Sequence, residues 1–163
     1  MRAIYFVFPL LLLLFSCKPS GKAAAKYNNT IVRYQARVGV LQQELFTIFK
    51  EGKAEEMQQV LDKLRYELRA VSDSINTMPS FDGKDDFKRN ALKYVDEMKS
   101  VVDGECTMIV KLYQLPDTAY HAEDEKKVQE LILSINNKSA NALEVLKANQ
   151  KKFADEYNFE IAK

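Results

Sequence analysis

Residues 54–78 read AEEMQQVLDKLRYELRAVSDSINTM, and their large apolar side chains recur at Met57, Leu61, Leu64, Leu68, Val71, Ile75 and Met78. Every step in that series is three or four residues, so on a helix of 3.6 residues per turn all of them share one face. A strand would need alternation at every second position, which Gln58-Gln59 and Asp62-Lys63 break. The stretch predicts an amphipathic helix with a core to bury against.

Upstream the same period appears at Ile31, Tyr34, Val38, Leu41, Leu45 and Ile48, preceded by Asn28, Asn29 and Thr30 as candidate caps and followed by Gly52 as a stop. Only two or three residues separate the two patterns. So short a connection predicts a helical hairpin with arms of about 24 residues, each about 36 Å long. Pro79 ends the second helix, and Asp82-Gly83 suits a turn. A third helix is expected from Asp85 or Asp86 to just before Pro116, burying Phe87, Ala91, Tyr94, Met98, Val101, Met108 and Leu112. A fourth, from about Glu123 to Asn158, buries Val128, Ile132, Ile135, Ala142, Leu146, Phe153 and Tyr157, with bends expected at Gly104 and at Asn136-Asn137. The expectation is all-α: an antiparallel up-down-up-down four-helix bundle in one domain, residues 27–163.

Residues 1–16 are of another kind. Arg2 is followed by an almost wholly apolar run from Ala3 to Phe15, interrupted by Pro9, which matches the charged and hydrophobic regions of an export signal. The run falls short of the roughly 20 residues that cross a bilayer comfortably, so cleavage is the expected fate. From Lys18 to Lys26 the chain is Lys-Pro-Ser-Gly-Lys-Ala-Ala-Ala-Lys, without apolar periodicity, and residues 17–26 are read as a flexible tether.

The four residues Leu14-Phe15-Ser16-Cys17 resemble the lipobox of bacterial lipoproteins. The resemblance implies cleavage between Ser16 and Cys17, a diacylglycerol on the Cys17 thiol, and acylation of the freed amine, with palmitate as the expected fatty acid. An ordinary cleaved signal followed by an incidental thiol is the alternative. Because each buried methylene contributes about 0.8 kcal/mol, two or three acyl chains would anchor the chain permanently. Lys18 in place of the Asp that retains enterobacterial lipoproteins in the inner membrane implies an outer-membrane address. The absence of acidic residues from Lys18 to Lys22 favours the periplasmic face. Tyr27-Asn28-Asn29-Thr30-Ile31-Val32, opening a run of long helices, resembles uncharacterised surface lipoproteins of Bacteroidetes and Leptospira, which pulls toward the cell surface and transfers no catalytic residue.

The chain has 24 basic and 23 acidic residues, and Arg2 is the only charge before Cys17, so the part after the signal is formally neutral. Nucleic acid is not an expected partner, since no basic cluster stands out beyond Lys151-Lys152, which reads as a solvated helix face. After lipidation of Cys17 only Cys106 would keep a thiol, so no internal disulfide is expected. His121 is the single histidine, which removes two-imidazole metal sites and leaves any hydrolytic triad resting on one loop residue. Asp82-Gly83-Lys84-Asp85-Asp86 lacks the alternating oxygens and terminal Glu of a calcium loop, and Glu123-Asp124-Glu125 reads as a dipole-matched first turn. Neither a metal nor a cofactor is expected, nor is enzymatic activity.

Three polar residues fall on inward stripes: Glu105, Ser139 and Asn149. They either line a pocket between helices or fix helix register. Cys106 beside Glu105 reads as a small buried hydrophobe, and Tyr34 and Tyr94 as boundary residues with their hydroxyls toward solvent. The leading expectation is a non-enzymatic, lipid-anchored binding or scaffold module of the envelope, with the membrane and an envelope protein as partners. The alternative is a bundle that binds an apolar small molecule near Glu105 and Ser139.

Overall fold

The computed structural model describes residues 19–161, and among them every long element is helical. Leu14, Phe15, Ser16 and Cys17 lie outside the described residues. Helix α1 runs Gly21–Glu51, α2 Ala54–Asn76, α3 Asp86–Val101, α4 Thr107–Tyr113 and α5 Ala122–Tyr157. A π-helical turn, Val102–Cys106, joins α3 to α4 without an intervening residue, so the two form one rod and the described chain is four helical rods.

The start of α1 corrects the expected tether. Ser20 caps the helix, its hydroxyl accepting from the Ala23 N–H at 3.2 Å, and Gly21 through Lys26 are helical. Alanine is the best helix former, so Ala23-Ala24-Ala25 extends the helix once Ala24 has a core to enter, and Ala24 is fully buried. Asn28, Asn29 and Thr30 consequently sit inside the helix rather than capping it. At the other end Gly52 takes a left-handed φ of 70° and donates its N–H to the Ile48 carbonyl at 3.1 Å.

Between α2 and α3 the chain turns over Asp82 and Gly83, both at positive φ, while Phe81 and Lys84 exchange backbone hydrogen bonds of 3.0 and 2.9 Å. This is the two-residue turn that an Asp-Gly pair favours. Helix α5 begins at Ala122, with the His121 N–H donating to the Asp124 carboxylate at 2.9 Å. It passes Asn136 and Asn137 as unbroken α-helix, so no interruption marks the expected bend there.

The irregularity expected at Gly104 is present as the π turn, and it shifts the face that follows. A π turn accommodates one extra residue, so a stripe continued at α spacing emerges one position late. Cys106, Ile109 and Val110 are buried, whereas Met108, expected inside, is 47% exposed. The turn is closed by the Thr107 hydroxyl, which donates to the Val102 carbonyl at 2.8 Å.

The α2 stripe is buried from Met57 through Ile75, and around it pack Ile31, Val38 and Leu45 of α1, Tyr94, Val95 and Met98 of α3, and Val128, Ile135 and Leu146 of α5. Helix α1 packs on α2, α2 on α3, α3 on α5, and α1 on α5. Between α1 and α2, Tyr27 bonds to Pro79 and Arg37 pairs with Glu67. Between α2 and the α3–α4 rod, Lys99 bonds to Ser72 and Arg65 to Thr107. Between that rod and α5, Asn90 meets Asn149 and Glu105 meets Ser134.

Candidate functional site

Glu105 lies at the π turn on the boundary with α5. Its carboxylate accepts from the Ser134 hydroxyl at 2.9 Å and sits 2.6 Å from the Lys138 ammonium. Burial pushes this carboxyl up, but the hydrogen bonds from Lys138 and Ser134 outweigh it and hold the pKa below the ordinary carboxylate value. Ser139, one position on, has a buried hydroxyl without a hydrogen-bond partner among the described residues. Glu105 is thus committed to Lys138, the residue next to Ser139 in the chain, and to Ser134.

Nearby, an open groove of about 280 Å³ lies between α3 and α5, with Tyr94, Ala142 and Val145 supplying apolar surface and Lys138 its polar edge. Tyr94 is buried, deeper than a boundary residue, while Tyr34 is half-buried. Burial raises the Tyr94 hydroxyl pKa. Cys106 is buried as expected, and burial pushes its thiol up to about 12, which leaves no thiolate near neutral pH.

The end of the molecule where α1 begins is built differently. Tyr27, Phe81, Phe87, Phe153, Tyr157 and Phe159 converge there from α1, the α2–α3 turn, α3, the last turns of α5 and the segment just after it. Their ring contacts include a stacked Phe87–Phe153 pair at 4.8 Å and an edge-on Phe81–Tyr157 pair at 4.9 Å. The Tyr27 hydroxyl donates to the Pro79 carbonyl at 3.0 Å, and the Tyr157 hydroxyl to Asp82 at 3.1 Å. Burial first, and Asp85 second, raise the Tyr27 pKa.

Gly21 is part of this closure. A Cβ there would lie 2.9 Å from the carbonyl oxygens of both Tyr157 and Asn158, so only glycine lets α1 approach the end of α5 this closely. Two turns further along, Asn28 is 2% exposed and its Oδ1 accepts from Gln150 at 3.0 Å.

Beside the aromatic cluster opens a cleft of about 450 Å³. Phe87 and Phe153 form its floor, and Lys84, Asp86, Lys152 and Glu156 its rim. Lys84 and Glu156 pair across the mouth, and that carboxylate raises the Lys84 pKa. Lys152 makes no ion pair among the described residues, whereas Lys151 pairs with Asp155 at 2.9 Å. Asn149, expected on an inward stripe, accepts from Asn90 at 3.0 Å and lines the same cleft.

No protein-family model, no curated protein and no solved structure matches this chain.

The acidic string at the α2–α3 turn is spoken for within the fold. Asp82 receives Tyr157, and Asp85 receives Ser80 at 2.8 Å and lies 2.9 Å from Lys88, whose hydrogen bond lowers its pKa. Among the described residues no group of three or more His, Cys, Asp or Glu is placed to hold a metal ion, and no helix is long and apolar enough to cross a membrane. His121 is exposed at the start of α5. The arrangement offers ionic and apolar contacts.

Sequence reading placed Phe87 and Phe153 correctly as inward residues but did not bring them together, and it took Lys84, Asp86 and Lys152 for turn, cap and solvated-face residues. The available signal was the concentration of aromatic residues at 81–87 and 153–159, two segments that only a folded chain makes adjacent.

Proposed function

We propose that the chain is a cell-envelope lipoprotein, cleaved after Ser16 and acylated on Cys17, whose helical domain is a non-enzymatic binding or scaffold module on the periplasmic face of the outer membrane. The observation that carries this reading is where the folded domain begins. Helix α1 starts at Gly21 and is locked there against the end of α5, only four positions after the lipobox cysteine. The domain therefore starts where the anchor would stop, and at most about 14 Å of chain separates them.

We read the four rods as an antiparallel up-down-up-down bundle. Within each contacting pair, partners descend one helix as they ascend the other: Tyr27 with Pro79 then Arg37 with Glu67, and Asn90 with Asn149 then Glu105 with Ser134. This supports the bundle as a rigid mount, with its binding surfaces on the ends and outer faces.

The second reading, an apolar small molecule held between helices near Glu105 and Ser139, draws on the groove at Tyr94, Ala142 and Val145. Val145 is 55% exposed there, an unusual exposure for a valine flanking a buried tyrosine.

The test is metabolic labelling with a radioactive fatty acid in cells expressing the natural chain or Cys17→Ser. The natural chain is expected to carry label and fractionate with outer membranes, and the variant to carry none. Label retained in Cys17→Ser overturns the anchor.

A further inference from the structure

The cleft at the α1 end encloses about 450 Å³, and its rim carries both signs of charge. Lys84 and Lys152 face it as cations and Asp86 and Glu156 as anions, over a floor of stacked Phe87 and Phe153. A purely anionic ligand would meet two carboxylates, and a purely cationic one two ammonium groups. A ligand bearing one charge of each sign can set each against an opposite charge on the rim. The volume, about 450 Å³, lies within the usual range for small-ligand sites, about 300–1,000 Å³.

Position narrows the ligand further. Gly21 abuts Asn158, and Glu156 and Lys152 lie two and six residues before Asn158 on α5, about 3 and 9 Å along the helix axis. Adding the reach of four residues from Cys17 brings the rim within roughly 25 Å of the anchored cysteine. A lipid on Cys17 would hold the cleft within that reach of the membrane surface, and Phe159 packs on Phe153, a floor residue, at 5.9 Å.

We propose that this cleft holds the headgroup of a zwitterionic phospholipid of the anchoring membrane, with the phosphate between Lys84 and Lys152, the ammonium on Asp86, and the glycerol against Phe87 and Phe153. The proposal rests on the lipoprotein reading for its choice of a lipid over a soluble zwitterion. Lys152 is available for the phosphate without breaking an ion pair, and Lys84 is held at the mouth by Glu156. The Asp86 carboxylate is largely exposed and pairs with Arg89, one turn along its own helix, while its backbone carbonyl accepts from Asn90.

The test uses the mature chain purified from its membranes with its anchor, in a phosphate-free detergent. Native mass spectrometry follows titration with dihexanoyl phosphatidylethanolamine, dihexanoyl phosphatidylglycerol and free phosphoethanolamine. A one-to-one adduct with the phosphatidylethanolamine is expected. Affinity should fall about tenfold or more in Lys84→Gln/Lys152→Gln and in Asp86→Asn, as loss of a charge-assisted contact implies, and stay unchanged in Lys151→Gln on the outer face. Circular dichroism of each variant establishes that these surface changes leave the helices intact. No adduct, or equal affinity in the cleft variants, overturns the proposal. Equal binding of phosphatidylglycerol contradicts the zwitterionic assignment, and equal binding of free phosphoethanolamine contradicts the lipid. A purified chain with an unmodified Cys17 would instead defeat the lipoprotein reading, while the titration would still report on the cleft.

Discussion

The Gln150 side chain donates a 3.0 Å hydrogen bond to the Oδ1 of Asn28, joining the beginning of α1 to the end of α5 across 122 residues of sequence. Asn28 is almost fully buried, so its oxygen has no recourse to bulk water once this bond is lost. Gln150→Ala is expected to destabilise the domain by about 1–3 kcal/mol, the cost of leaving a buried acceptor unpaired. Lys147→Ala, exposed one turn earlier on α5, should change stability by less than about 0.5 kcal/mol. Urea denaturation compares the two, and equal effects would mean that the Asn28–Gln150 contact does not bear on stability.

Two glycines of α1 should respond to alanine in opposite directions. At Gly21 a new Cβ meets two backbone oxygens that cannot move independently of α5, and Gly21→Ala should cost about 1–3 kcal/mol, as overpacking does. At Gly39, mid-helix, a new Cβ meets nothing within 4 Å, and Gly39→Ala should add about 0.5–1 kcal/mol through helix propensity. Thermal melts of both variants decide it: destabilisation by Gly39→Ala would show that this face of α1 is covered by something else.

The π turn at Val102–Cys106 has the character of one inserted residue. Deleting Gly104 should let α3 run into α4 as unbroken α-helix, with Met98, Val101, Ile109 and Val110 still facing inward. The deletion variant is expected to fold with native helicity and a cooperative melt. Deleting Lys93, an exposed residue inside α3, rotates everything after it by about 100° and should abolish cooperative unfolding. Comparable damage from the two deletions would contradict the register assigned to α4.

These positions also show what the sequence made legible. The stripes of α1 and α2 were readable because their spacing is local, and Leu61, Leu64 and Leu68 are buried as their period requires. The start of α1 was not, because Lys22 to Lys26 has no apolar periodicity and only packing against α5 decides between helix and tether. Met108 was misplaced because spacing counts residues at a constant 3.6 per turn, and the π turn breaks that count at Gly104. Of the cleft, Phe87 and Phe153 were legible as core residues. The pairing of Lys84 with Glu156 and the free position of Lys152 depend on contacts between segments about 70 residues apart, to which periodicity is blind.

Glu105 gives the domain an acid-sensitive contact. Its pKa is lowered in the folded state, so its contribution is fully present above the unfolded carboxylate value of 4.5 and is lost as pH falls through the lower folded value. Chemical denaturation of the natural chain should therefore show stability declining below about pH 4.5. In Glu105→Gln that decline should be shallower, because Lys138 and Ser134 no longer lose a charged partner. An unchanged slope in the variant would mean that other carboxylates carry the acid response.

The proposed anchor at Cys17 lies four positions before α1 begins at Gly21. The most direct measurement is the mass of the N-terminal peptide of the mature chain isolated from membranes. The expected result is a peptide beginning at Cys17 and heavier than its sequence by a diacylglycerol, with a further acyl chain on the amine. A peptide that begins at another residue, or at an unmodified Cys17, would contradict the lipid anchor.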